Sequence, residues 1–133
     1  MIRPEPLWLS REEIAYLHMA SIRQFGGSHG VRDEGLIASA LARPVNLWSY
    51  DSRADISALA AAYAFGLVKN HGFVDGNKRI GFLAMGTFLH LNGWRFISDE
   101  AEAAMMILET AAGSRSEQEL SEWLRARIET ISG

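Results

Sequence analysis

Nine consecutive residues, His71-Gly72-Phe73-Val74-Asp75-Gly76-Asn77-Lys78-Arg79, bring together an imidazole, a carboxylate, an amide, an ammonium and a guanidinium. Apolar helical patterns flank them on both sides, so they read as a tight loop that opens onto the N-terminus of a helix. Such an end presents unpaired backbone N–H groups and a positive dipole, and both attract an anion. Lys78 and Arg79 add two fixed cations there. Asp75 can hold Mg²⁺, an ion that takes one or two carboxylates and fills its shell with phosphate oxygens and water. His71 is the candidate general base, because imidazole accepts and returns protons near neutral pH. Together these parts suit a nucleotide phosphate chain.

A blander reading exists. Asp75-Gly76 is a turn dipeptide, Asp75 can simply cap the next helix, and two basic residues can sit solvated in its first turn. Against that stands the electrostatics. Cations in a first turn face the positive end of the dipole, and here two are adjacent. An anion between them removes the conflict, and a local rule broken in this way is the mark of a functional site.

The helices on either side must hold the loop rigid. From Asp55, the residues Ile56, Leu59, Ala60, Tyr63, Ala64, Leu67 and Val68 form one apolar stripe at i, i+3, i+4 spacing. Four residues beyond Leu67 lies His71, which this spacing predicts to face the core. Lys69, one turn before the loop, is a candidate phosphate contact or a surface lysine. After the loop, Asn77 to Leu91 is apolar nearly all round, the composition of a central, enclosed helix. Gly81 and Gly86 within it predict close helix approach.

The remaining chain is also helical in pattern. Ser10 with Glu13 makes a capping box for a first helix, which Gly26 and Gly27 end. His18 lies beside its apolar face and reads as a packed, hydrogen-bonded histidine; His29 reads as an exposed loop residue. Asp33 caps a short helix to Leu41 that Pro44 closes. The segment Arg43 to Asp51 has no helical period, and its Val45, Leu47, Trp48 and Tyr50 read as core filler under a loop. Trp94 to Ile97 is short and extended, Asp99 or Ser98 caps Ala101 to Ala112, and Gly113 ends that helix. Ser116 with Glu119 starts the last one, with Leu120, Trp123, Leu124 and Ile128 as its buried face.

Length and composition set the limits. The 133 residues make one domain, residues 1–133, with 48% apolar residues and a single core. No apolar run reaches a membrane span, and no signal peptide is expected. The absence of cysteine excludes disulfides and thiolate metal sites. A net charge of −3 argues against general nucleic-acid binding. A reducing cytoplasm fits these features.

The order of the loop residues resembles the Fic/Doc superfamily pattern His-x-Phe-x-(Asp/Glu)-(Gly/Ala)-Asn-(Gly/Lys)-Arg, every fixed position of which is met. Lys78 where the larger Fic branch has Gly, and Phe82 where it has a second Arg, are shared with the Doc branch, the death-on-curing toxins of bacterial toxin–antitoxin pairs. The resemblance extends along nearly the whole chain, including Phe25-Gly26-Gly27. It implies an all-α single domain of about six helices around a central buried helix, with a short extended flap, placed here at Val45 to Tyr50, that lines up a target segment. It implies a toxin that moves the γ-phosphoryl group of ATP, with Mg²⁺, to a hydroxyl on a protein. Relatives with Lys at the position of Lys78 point to elongation factor Tu as the target, and so to arrest of translation. The implied roles are His71 as base, Asp75 as metal ligand, and Gly76, Asn77, Lys78 and Arg79 on the phosphates, with Phe73 turned inward as the loop's anchor. Two alternatives stay open: adenylyl transfer, as in Fic enzymes, and an inactive module that only binds an antitoxin. The resemblance also implies an antitoxin in trans. The one Glu-Gly pair, Glu34-Gly35, has Gly30 rather than Ser or Thr four residues before Glu34, so the inhibitory helix of many Fic proteins is not expected in this sequence.

Overall fold

Five helices start at side chains that accept a hydrogen bond from the third residue beyond them. Ser10 accepts from Glu13, Asp33 from Leu36, Asp55 from Ala58, Asp99 from Glu102 and Ser116 from Glu119, and both serine caps close complete capping boxes. Each such cap is worth about 1 kcal/mol. The structure, a computed structural model, describes residues 3–131. Among these, the order is α1 (Arg11–Phe25), α2 (Glu34–Tyr50), α3 (Ile56–Asn70), α4 (Asn77–Leu91), β1 (Trp94–Phe96), α5 (Glu100–Ala112), α6 (Glu117–Arg125) and β2 (Ile128–Thr130). It is an all-α domain with one small antiparallel ribbon, in which Phe96 pairs with Ile128. No helix of the described residues is long and apolar enough to cross a membrane.

The central helix is α3 rather than α4. Ala60, Ala61, Ala62, Tyr63 and Ala64 have no exposed surface, and α3 packs against α2, α4, α5 and α6. A stripe at helical spacing marks only one face. The small residues between its members allow neighbours to approach from every other side. α4 lies along α3, and its own outer face is partly open at Phe82, Leu83 and Leu91. Close approach occurs at Gly81, where a Cβ would meet Val68 Cγ2 at 2.5 Å, whereas Gly86 faces open space.

Two boundaries differ from the sequence reading. α2 runs through Pro44 to Tyr50 instead of ending before it. A proline inside a helix loses one hydrogen bond and costs about 3 kcal/mol, but Pro44 is buried here and the turns beyond it are held by tertiary contacts. Arg3 donates to the carbonyls of Trp48, Asp51 and Ala54, and Trp8 packs edge-on against Trp48. The stretch Val45 to Tyr50 is therefore helical and forms no flap. Ile128 belongs to β2, not to the last helix. A residue four beyond Leu124 fits either continuation, and the open edge of β1 takes it.

Candidate active site

The loop from His71 to Gly76 connects α3 and α4, which pack on each other, so its ends are fixed by the core. At its start, His71 takes the left-handed conformation, φ 52°, ψ 48°, the one positive φ at a non-glycine among the described residues. That conformation costs an ordinary residue about 1–2 kcal/mol. It also turns the chain off the α3 stripe, so the imidazole is exposed instead of facing the core. At the other end Gly76, with φ 77° and ψ 18°, is the N-cap of α4 and supplies no side-chain cap. The first turn of α4 thus keeps its N–H groups open to a ligand.

Inside the loop, Asn77 is buried and uses both ends of its amide. Its Oδ1 accepts from Phe73 N at 3.0 Å, and its Nδ2 donates to Phe73 O at 3.0 Å. Nδ2 also lies 3.4 Å from His71 Nδ1. That contact is too long to fix the ring's proton, so either tautomer is open to the exposed imidazole. Oδ1 and one Nδ2 hydrogen thus serve the loop, and Asn77, the candidate phosphate contact of the sequence, keeps a second Nδ2 hydrogen at the cavity it lines. Phe73 is buried, as expected of an inward anchor.

From α1, His18 reaches across 57 residues of sequence, its Nε2 lying 2.7 Å from Asp75 O. Its ring stacks on Phe73 with centroids 3.8 Å apart. Burial pushes the His18 pKa down, with the charges of His29, Arg11 and Arg79 acting in the same direction and the bond to the Asp75 carbonyl opposing them. A carbonyl oxygen can only accept, so Nε2 carries a proton and donates it to Asp75 O. A packed, hydrogen-bonded histidine was expected. That its partner is the loop was invisible locally, since nothing near His18 in sequence marks it.

Asp75 points away from the core, toward the turn that follows α1. Its Oδ2 accepts from Ser28 N at 3.2 Å and its Oδ1 from Gly76 N at 2.9 Å. The Ser28 N–H, then the Gly76 N–H, hold its pKa below the usual carboxylate value, helped by the charge of Arg79. Gly27 matters here, because a Cβ at that position would lie 2.8 Å from Asp75 Oδ2. Arg79 ties the same turn down by donating to Gly26 O at 2.9 Å and lying over the Phe25 ring. Ser28 and Arg32 are the loop partners that sequence reasoning missed.

His71, Asp75, Gly76, Asn77, Lys78 and Arg79 line one cavity of about 240 Å³, with Val74. Lys78 is exposed and makes no hydrogen bond or ion pair among the described residues. Lys69 is placed elsewhere: its Nζ lies beside Gly113 at the C-terminal end of α5, where a cation suits the helix dipole. Next to the cavity, and sharing Lys78 and Arg79 with it, runs a mainly apolar groove of about 400 Å³ between Phe25, Phe82, Ala104, Ile107 and Leu108, with Glu100 in its wall.

Asp75 is a lone carboxylate, and no cluster of three or more metal-ligating side chains occurs among the described residues. Each of its oxygens keeps a lone pair after accepting one N–H. Such a donor fits Mg²⁺ delivered with a phosphate chain and does not build an all-protein cage.

A helical domain in which two packed helices present a His…Asp-Gly-Asn-Lys-Arg loop defines a class. The chain belongs to the Fic/DOC family, whose model matches residues 8–89. It is 42% identical over 93 residues to the Toxin Doc of Mycolicibacterium smegmatis, covering 69% of each chain. It is 30% identical over 117 residues to the Protein kinase doc of Escherichia phage P1, covering 88% of this chain and 92% of that one.

Proposed function

We propose that the chain is the toxin of a toxin–antitoxin pair and a protein kinase, moving the γ-phosphoryl group of ATP to a hydroxyl on a protein in the cytoplasm. The observation that carries this reading is the single cavity in which His71, the ionised Asp75 and the unpaired Lys78 meet the open N-terminus of α4. The names of the two relatives, a toxin and a protein kinase, support it. By resemblance the target is elongation factor Tu, and the consequence is arrest of translation.

In this reading His71 takes the proton of the attacking hydroxyl, whose oxygen forms a bond to the γ-phosphorus as the bond to ADP breaks. Lys78, Arg79 and the N–H groups of α4 neutralise the charge on the transferring group. Asp75 would hold Mg²⁺, which when bound supplies charge neutralisation at the phosphates. His18 keeps the loop in register, and Asn77 does so while its second Nδ2 hydrogen is available to a phosphate oxygen. The groove beside Phe25 and Phe82 offers an apolar, aromatic wall for the nucleobase. The segment around Val31, which forms a single antiparallel bridge with Phe73, adjoins the loop that lines the cavity and suits alignment of a target segment.

Inhibition in this reading comes from a separate antitoxin. Glu34, the one glutamate followed by glycine, is already paired with Arg11 at 3.0 Å. Phe82, at the position of the second arginine of Fic proteins, stands edge-on to Phe96 instead.

The test is to incubate the protein with cell lysate and ATP labelled on either the α- or the γ-phosphate. Transfer of the γ label supports the kinase; transfer of the α label makes it an adenylyltransferase. Transfer of neither label, with an intact fold, leaves a binding module.

A further inference from the structure

The exposed, left-handed His71 needs something to hold it. Its conformation is uncommon for any residue other than glycine, and its exposed side chain has a long contact, 3.4 Å, with Asn77 Nδ2. We propose that Arg32 is the positioning residue of His71. The Arg32 guanidinium donates from Nε to His71 O at 2.6 Å and from Nη2 to Asn70 O at 3.1 Å. The backbone of the same segment takes the next carbonyl, with Arg32 N and Asp33 N donating to Gly72 O at 2.8 and 3.0 Å. Three successive carbonyls, of Asn70, His71 and Gly72, are thus gripped from one side by a segment that is distant in sequence.

The grip is chemically specific. A planar fork can serve two adjacent carbonyls at once, whereas an ammonium can supply charge but not that geometry. The cation also sits at the C-terminal end of α3, where the helix dipole favours it. Arg32 touches no reacting atom in this arrangement. It sets the direction in which the imidazole leaves the backbone, and a displacement of about 1 Å at a reacting group costs about 10²-fold in rate.

The inference rests on His71 being the general base, so the two are tested together. Wild type, His71→Ala, Arg32→Ala and Arg32→Lys are compared for the initial rate of label transfer from ATP to lysate protein, using whichever phosphate the wild type transfers. Arg95→Ala, on β1, is the control and should match wild type. Arg32→Ala should lose about 10²-fold in rate at saturating ATP, with the half-saturating ATP concentration unchanged. Guanidinium ion at millimolar concentration should restore part of that rate, and ammonium should not. Arg32→Lys should keep the thermal midpoint of wild type and still lack the rate. Amide exchange should quicken at 71–73 in both Arg32 variants and stay unchanged in α4. The inference is overturned if folded Arg32→Ala keeps its rate, if Arg32→Lys restores it, or if the whole effect falls on half-saturation. Full activity in His71→Ala removes the base assignment itself, and with it the purpose of the grip. Loss in His71→Ala but not in Arg32→Ala overturns only the role of Arg32.

Discussion

Asn77 stands to Phe73 as one strand stands to another: its side-chain amide accepts from Phe73 N and donates to Phe73 O, each at 3.0 Å. Both Phe73 groups are buried, so the first residue of α4 satisfies the backbone of the loop at its buried point. Asn77→Ala leaves a buried donor and acceptor unpaired, at about 1–3 kcal/mol for each group. Asn77→Asp keeps the acceptor for Phe73 N but offers no donor to Phe73 O. Urea unfolding should therefore rank wild type above Asn77→Asp and Asn77→Ala, and both variants should lose transfer activity.

Asp75→Asn should separate metal binding from folding. The amide can accept only one of the two N–H bonds that the carboxylate now takes from Ser28 and Gly76, and it no longer carries charge for a divalent ion. Calorimetric titration of Mg²⁺ in the presence of a non-hydrolysable ATP analogue should show weaker binding, with a thermal midpoint close to wild type. Unchanged Mg²⁺ binding would move the metal to another group.

Lys78 lines the cavity, and in the proposed reading the choice of reaction turns on it. A glycine there leaves room at the start of α4, and a lysine fills it with charge. The nucleotide should then present its terminal phosphate to the hydroxyl beside His71. In-line geometry makes such a choice all-or-none. Lys78→Gly should lose γ-phosphoryl transfer and gain at most a weak transfer of the α label. Lys78→Arg should also fail, since a planar fork does not replace a compact ammonium. Full γ transfer by Lys78→Gly would remove the assignment.

The two glycines of α4 should behave oppositely. At Gly81 a methyl group would meet Val68 Cγ2 at 2.5 Å and Ala64 O at 3.2 Å, and overpacking of this kind costs about 1–3 kcal/mol. At Gly86 nothing lies within 4 Å, so Gly86→Ala should stabilise the helix by about 0.5–1 kcal/mol. Denaturant midpoints of the two variants should move in opposite directions.

Asp55, the cap of α3, gives a pH signature. Burial pushes its pKa up, but the Arg125 hydrogen bond at 2.6 Å and the Ala58 N–H outweigh that and leave it below 3.8. A carboxyl lowered in the folded state adds stability above its unfolded pKa and loses it as pH falls through the folded value. Asp55→Asn keeps a good cap and removes the charge. The pair is half exposed, so the gap between wild type and variant should be under about 1 kcal/mol near neutrality. It should close as pH falls below about 4 in urea titrations.

Helix starts were legible in the sequence because Ser10, Asp33, Asp55, Asp99 and Ser116 act on backbone groups three residues away, and such chemistry is local. The loop was legible for a similar reason: one short segment carries the imidazole, the carboxylate and the two cations. Pro44 misled because its local cost is real, and only the buried ring and the grip of Arg3 beyond it outweigh that cost. His71 misled because a single left-handed residue breaks the helical spacing from which its direction was extrapolated. By itself the sequence determined the composition of the site, the family and the helical architecture, all of which depend on residue type and spacing. Tertiary structure alone decided what holds that site in shape. His18 on the Asp75 carbonyl, Ser28 on its carboxylate and Arg32 on the His71 carbonyl are contacts between backbone groups and side chains far apart in the chain, and no local pattern encodes which carbonyl a distant donor will meet.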